Sequence, residues 1–195
     1  MSPQPDLRLY LLSICILLLF PHIYGRMNDT TRKLLLTLHN DARQAVRNGK
    51  LNGQPKAVSI KPLKWNMELE RKAQKLSDQC RVGHDTEEER ETSEFEYVGQ
   101  NWAGASKVKI GFQLWLSEYK SYDFSRQKCR AKQCGHYTQI VWEKTTDLGC
   151  GVTDCPNFPY RLSIVCNYGT GFRGNYIGHP PYKTTRTQVN NLKVK

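Results

Sequence analysis

The sequence predicts an α+β domain, on three observations. Apolar residues recur at helical spacing through the first half of the chain. Short β-branched and aromatic runs bounded by turn formers fill the second half. An even set of cysteines, Cys80, Cys129, Cys134, Cys150, Cys155 and Cys166, can staple the two together. No internal repeat and no second domain is visible.

The first 25 residues read as a removable address. Arg8 precedes an apolar run from Leu9 to Phe20, which is too short to span a bilayer, and Gly25 offers a small residue for cleavage. The expected product is a secreted, extracellular protein beginning near Arg26. Losing the leader deletes Asp6 and Arg8, so the formal net charge of +11 is unchanged. It also deletes Cys15, which leaves the six cysteines above. In an exported chain these argue for disulfides, with the connectivity open. The spacing of Cys129 to Cys134 and of Cys150 to Cys155 is too loose for a usual zinc pair. The predicted division is a signal peptide over 1–25, one domain over 26–182 and a basic tail over 183–195. Asn28-Asp29-Thr30 is a glycosylation acceptor near the mature start, with Asn28 as the modified residue.

The elements follow in order. Leu34, Leu35, Leu38, Ala42, Ala45 and Val46 give a helix from Asp29 to Lys50, capped by Asp29 or Thr30 and stopped near Gly49. Asn66 caps a second helix, where Glu68 and Glu70 favour the dipole. Its apolar stripe is Leu69, Ala73, Leu76 and Cys80, and Gly83 ends it. A third helix runs from about Lys107 to Tyr119, packing Val108, Phe112, Trp115, Leu116 and Tyr119. Strands are expected over Leu148 to Val152 and Arg161 to Tyr168, with Tyr97 to Ala103 as a further candidate. Ile140-Val141-Trp142 is too short for periodicity to assign. Beyond Pro180-Pro181 the chain reads as an extended tail.

The basic residues cluster in Ser125–Lys132 and in the tail from Lys183 to Lys195. No aromatic-interleaved basic motif accompanies them, so nucleic acid is not an expected partner. Acidic glycans, anionic lipid surfaces or a merely solvated surface fit the charge.

Gly135-His136-Tyr137-Thr138-Gln139-Ile140-Val141-Trp142-Glu143-Lys144-Thr145 sets an imidazole beside an aromatic ring, two hydrogen-bonding side chains and an apolar run. This stretch resembles the first signature of the CAP superfamily: cysteine-rich secretory proteins, insect-venom antigen 5 and pathogenesis-related plant proteins. His39-Asn40-x-x-Arg43, Leu63-x-Trp65, Cys80-x-x-x-His84 and Trp115-x-x-Glu118 also resemble family segments. Cys166-Asn167-Tyr168 resembles the second signature, with two extra residues before Gly174-Asn175 and no proline between. The nearest likeness is to single-domain venom-allergen-like proteins of parasitic worms.

The resemblance implies an α-β-α sandwich with a three-stranded antiparallel sheet between helical layers, and Ile140-Val141-Trp142 ending a short helix. It implies the pairs Cys80–Cys155, Cys129–Cys134 and Cys150–Cys166. It also implies a polar cleft that falls on His84, Gln100, Glu118 and His136, where Gln100 stands in place of the family's usual glutamate. An amide carries no charge and is a poorer ligand for a divalent metal than a carboxylate. His84 and His136 are the candidate ligands for zinc or magnesium, although no cofactor is required. A hydrolase or protease would need a nucleophile near His136. Only Ser106, Ser117 and Ser121 lie near Glu118 in sequence, so no catalytic residue is assigned and a non-enzyme is expected.

Phe95, Tyr97 and Trp102, in the order aromatic-x-aromatic-xxxx-aromatic, resemble the caveolin-binding pattern that marks a sterol-binding loop in some family members. Beside Glu87-Glu88-Glu89-Arg90-Glu91, such a loop could form a lid over a hydrophobic mouth. Leu34, Leu35 and Leu38 are candidates for a fatty-acid groove between the first helix and a later one. The expected function is therefore binding and carriage of sterols or other small lipids at a parasite–host interface. Host proteins or glycosaminoglycans are alternative partners, and the protein is expected to be a monomer or weak dimer.

Overall fold

A computed structural model describes residues 27–171 and 174–185. The predicted leader and the tail beyond Thr185 lie outside the described residues.

Helix α1 spans Asp29–Arg47. Its cap is Asn28 rather than Asp29 or Thr30: the extended backbone at Asn28 turns its Oδ1 to accept Thr31 N–H at 2.8 Å. Leu35, Ala42 and Val46 are buried as the periodicity predicts, but His39 and Arg43 share that stripe. His39 Nδ1–H donates to Leu35 O at 2.7 Å, and its Nε2 accepts from Tyr168 Oη at 2.8 Å. Arg43 donates to Lys61 O, Ile140 O, Trp142 O and Thr145 O at 2.8–3.2 Å. A cation thus sits in the core because four carbonyls replace its hydration.

Strand β1, Lys64–Trp65, leads into α2, Met67–Ser77. Asn66 caps α2 through Oδ1, which accepts from Glu68 N–H and Leu69 N–H. The helix ends at Ser77, well before Gly83, so Cys80 is not on its buried stripe. Ser77 occupies that position and donates to Ser163 O at 2.8 Å. Cys80 follows in a left-handed turn with φ 48°.

A one-turn helix α3, Glu87–Arg90, precedes β2, Tyr97–Ala105. Helix α4, Val108–Ser117, tightens into a 3-10 turn over Glu118–Ser121, so the predicted third helix changes pitch at Glu118. A hairpin of β3, Tyr122–Asp123, and β4, Lys128–Cys129, leads to α5, Gly135–Ile140. Val141 and Trp142 follow the end of α5. Strands β5, Thr145–Asp154, and β6, Leu162–Thr170, complete the order.

The sheet runs β1-β5-β6-β2. Three strands are antiparallel, as expected, with β2 paired to β6 over its whole length. The fourth is a correction: β1 adds a two-residue parallel edge on β5, in register Lys64↔Asp147 and Trp65↔Leu148. It forms because Asn66 N–H bonds Leu148 O at 2.8 Å as the chain enters α2. Helix α2 covers one face of the sheet at backbone distance. A Cβ on Gly149 would strike Glu70 N, and one on Gly151 would strike Gln74 Cα. Helices α1, α4 and α5 cover the other face around Leu35, Phe112, Trp115, Tyr137 and Ile164. The result is the helix–sheet–helix sandwich that the resemblance implies.

The disulfides are Cys80–Cys155, Cys129–Cys134 and Cys150–Cys166. The C-terminal segment corrects another expectation. Tyr182, past Pro180-Pro181, is buried and donates from Oη to Pro55 O at 3.0 Å. Val58 N–H then donates to Lys183 O, and Thr184 Oγ1 to Lys56 O. Aromatic burial and these backbone bonds fasten the chain through Thr184 to the domain.

Candidate functional site

Because β2 is an edge strand, its outer side is open, and a cleft of about 510 Å³ lies along it. Trp102 and Tyr160 wall one side, Leu114 and Trp115 the other. His84, Glu118, Gln133 and His136 supply the polar groups. Trp115 Nε1–H donates to Trp102 O at 2.9 Å, which fixes α4 against the strand.

Three of the four predicted cleft residues, His84, Glu118 and His136, line this space. Both oxygens of the Glu118 carboxylate are engaged. Its Oε1 accepts His136 Nδ1–H at 2.6 Å, and its Oε2 accepts His136 N–H at 2.9 Å and Tyr137 N–H at 3.1 Å. These two amides belong to the first turn of α5, so Glu118 caps that helix from a distant element while orienting the imidazole. A carboxylate can only accept, so neutral His136 carries its proton on Nδ1 and keeps a lone pair on Nε2.

Gln100 stands behind His84. Its Nε2 donates to Asp85 Oδ1 and to Asn167 Oδ1, both at 2.9 Å, and its Oε1 accepts from His84 Nδ1 at 2.8 Å. Asp85 is further paired with Arg90 at 2.7 Å. The amide is therefore a two-way bridge that a carboxylate could not reproduce, since it has no proton to give Asp85.

This donor set does not make a three-ligand metal centre. Both Glu118 oxygens already accept hydrogen bonds, Gln100 is held in its bridge, and the ligands this set offers are the two imidazole Nε2 atoms. Among the described residues no group of three or more His, Cys, Asp or Glu is placed to hold a metal ion. Two imidazoles suit zinc better than magnesium, which asks for oxygen ligands. As for covalent chemistry, no serine, threonine or cysteine among the described residues lines the cleft. Ser106, Ser117 and Ser121 are absent from its walls, and Ser117 Oγ donates to Leu114 O. His136 and Glu118 make a base and its orienter without a nucleophile.

The strand's alternation sends Tyr97 and Trp102 of the predicted sterol loop to opposite faces. From Tyr97 onward the segment is strand, not loop. Phe95 is buried with Leu69 and Val98 under α2, its ring over Gly169. Trp102 also faces α2, packing on Ala73, Leu76 and Val165. Tyr97 points to the other face, against Gly174. Phe95 and Tyr97 border a separate cavity of about 210 Å³ walled by Glu87, Glu88, Glu91 and Glu96. Of the three rings only Trp102 reaches the cleft. On α1, Leu35 is fully enclosed in the core, while Leu34 and Leu38 keep partial exposure.

Two contributors carried no sequence signal. Tyr160 sits in the β5–β6 turn, lies over Gly104, and meets Trp102 at a ring-centroid distance of 6.4 Å. Leu114 is over half exposed on α4. Turn residues and the outer face of a helix fall outside any periodic pattern, so only the tertiary structure brings them to the cleft.

Asn28 is exposed, and its cap uses Oδ1 rather than the amide nitrogen that would carry a glycan. No helix among the described residues is long and apolar enough to cross a membrane.

The family model described as CAP, the cysteine-rich secretory protein family, matches residues 36–168. A scoloptoxin of Scolopendra dehaani is 36% identical over 163 residues, covering 80% of this chain and 76% of its own. Venom allergen 5 of Vespa magnifica is 38% identical over 162 residues, covering 76% and 70%. Among solved structures, the venom allergen-like protein 4 of Schistosoma mansoni superposes with a TM-score of 0.71 at 31% identity, covering 78% of this chain and 94% of that one. Fold, disulfides, signature residues and these likenesses agree, and the chain belongs to the CAP family.

Proposed function

We propose that the protein binds a small lipid of the sterol class, without catalysis, in the cleft along β2. The observation that carries this reading is the lining. Trp102, Leu114, Trp115 and Tyr160 form an apolar, largely aromatic wall, His84, Glu118 and His136 form one polar cluster, and no nucleophile is among them. That combination suits an amphiphile with a rigid apolar body and one polar end. A sterol has about thirty heavy atoms, and roughly −0.3 kcal/mol per atom gives about −8 kcal/mol, a micromolar affinity. Such binding requires neither metal nor cofactor. Export through the leader, glycosylation at Asn28, a monomeric or weakly dimeric state and action at a parasite–host interface belong to the same proposal.

The test is titration with cyclodextrin-solubilised cholesterol, read by tryptophan fluorescence. Trp102→Ala should weaken binding about tenfold through loss of its ring, while Tyr97→Ala, on the opposite face, should bind as the parent does. Weakening by Tyr97→Ala alone would move the site to the acidic cavity. Turnover of ester or peptide substrates, abolished by His136→Ala, would replace the reading with a hydrolase.

A second reading has one observation of its own. The β3–β4 hairpin and the following loop, which Cys129–Cys134 closes, border another cavity of about 510 Å³ whose lining, among the described residues, includes Lys128 and Lys132 and no acid. A sulfated glycosaminoglycan would suit it. Salt-sensitive heparin retention lost on Lys128→Glu and Lys132→Glu, but kept on truncation after Tyr182, supports that partner over the basic tail.

A further inference from the structure

Helix α4 breaks two local rules at once. Its cap position is Lys107, whose side chain makes no capping bond, and Lys109 follows in the first turn with no acid there. Cations at this end oppose the helix dipole, where Ser, Asp or Glu would stabilise it. The helix also shows large apolar residues on its exposed side. Gly111, Phe112 and Trp115 face the core, while Ile110 and Leu114 face solvent, 39% and 53% exposed. At 100° per residue, Ile110 and Leu114 lie about 40° apart on the exposed side, which they share with Lys107, Lys109 and the polar Gln113 and Ser117. Tyr160, 49% exposed, joins Leu114 at the rim of the cleft. The helix itself carries no acidic residue.

The uncapped, cationic start lowers the stability of the free domain, and the exposed Ile110 and Leu114 add little to it. Both make sense if this face meets an apolar layer edged with negative charge. We propose that the outward face of α4 docks on an anionic lipid surface: Ile110, Leu114 and Tyr160 enter the acyl boundary, and Lys107 and Lys109 lie among the headgroups. The formal net charge of +11 draws the protein to such a surface. Leu114 and Tyr160 belong both to the docking face and to the cleft, so docking sets the cleft mouth against the bilayer. A lipid could then pass between membrane and cleft without crossing water. The docking inference goes beyond sterol binding and does not depend on it.

The experiment is co-sedimentation of the full chain with sterol-free vesicles, either pure phosphatidylcholine or containing about one-third phosphatidylserine. The protein should bind the anionic vesicles, and salt should weaken it. Ile110→Glu should lower vesicle binding about tenfold by removing an inserted side chain, with the circular dichroism of the parent. Lys109→Glu should lower vesicle binding and raise the thermal midpoint, because it corrects the dipole. Lys144→Glu, the same charge change at the opposite end of the sheet, should do neither.

Equal binding of the parent and Ile110→Glu to anionic vesicles overturns the proposal. So does failure to bind them at all, including retention on heparin alone, which would make the face a glycan site. Ile110 does not line the cleft, so Ile110→Glu should keep binding solubilised cholesterol. Loss of vesicle binding with cholesterol binding intact in the parent would sink the docking face and leave the sterol reading standing. The reverse pattern would sink the sterol reading alone.

Discussion

The Gln100 amide reaches Asp85 and Asn167 with its nitrogen and His84 with its oxygen. Replacing it with the family's usual glutamate would turn two donated bonds into contacts between acceptors, one of them with a carboxylate. Gln100→Glu should therefore destabilise the fold by about 1–3 kcal/mol near neutral pH. The sign with pH follows from the neighbour: Asp85 would raise the folded-state pKa of the new carboxyl. Its penalty is then full above that pKa and fades as falling pH protonates it. Urea midpoints measured at about pH 7 and about pH 5 should show the deficit shrinking at the lower value; a deficit independent of pH rules out the like-charge explanation. The departure at this position was legible in the sequence as a missing acid. What the amide does there was not, because Asp85 and Asn167 reach it from different elements.

At the scale of elements, α1 is joined to the sheet through buried polar groups as well as leucines. Burial lowers the pKa of His39 from 6.5 to about 4, with the nearby Arg43 charge adding to the effect. An imidazole with a depressed folded pKa stabilises the fold fully above its unfolded value. That contribution is lost as pH falls from about 6.5 towards 4, and it amounts to about 3 kcal/mol. Chemical denaturation across this range should show the parent losing stability more steeply than His39→Gln, whose amide does not titrate. Parallel curves would mean that His39 is not what makes the fold acid-sensitive. The periodicity of α1 identified its buried stripe but passed over His39 and Arg43. A hydropathy pattern treats both as surface residues, whereas Tyr168 Oη and four backbone carbonyls, mostly remote in sequence, give them partners. The fragment Phe95–Trp102 shows the converse. Three aromatics close in sequence look like one surface, yet the alternation of β2 sends Tyr97 to the opposite face from Trp102.

Over the whole molecule, the cleft depends on joining segments far apart in the chain. Cys80–Cys155 spans a sequence separation of 75 and ties the chain just before His84 to the end of β5, close to the turn that carries Tyr160. Removing it as Cys80→Ser with Cys155→Ser should cost about 3 kcal/mol, read as a lower thermal midpoint. Cholesterol affinity should fall too, since His84 and Tyr160 lose their common anchor; unchanged affinity in the folded double variant would show that the cleft is held by β2 and α4 alone. The sequence by itself determined the family, the sandwich, its main helices and strands, and three of the four polar cleft residues. The helices and strands follow from apolar periodicity, caps and turn residues, and the family, the sandwich and the cleft residues from the resemblance that the signature motifs carry; all of these signals are properties of neighbouring residues. Only the tertiary structure decided that Glu118 is spent capping α5, that Trp102 alone of the three aromatics reaches the cleft, and that Leu114 and Tyr160 complete its wall. Such outcomes depend on which face of a strand or helix meets which distant segment, and on hydrogen-bonding capacity already committed elsewhere. Local spacing carries no record of either.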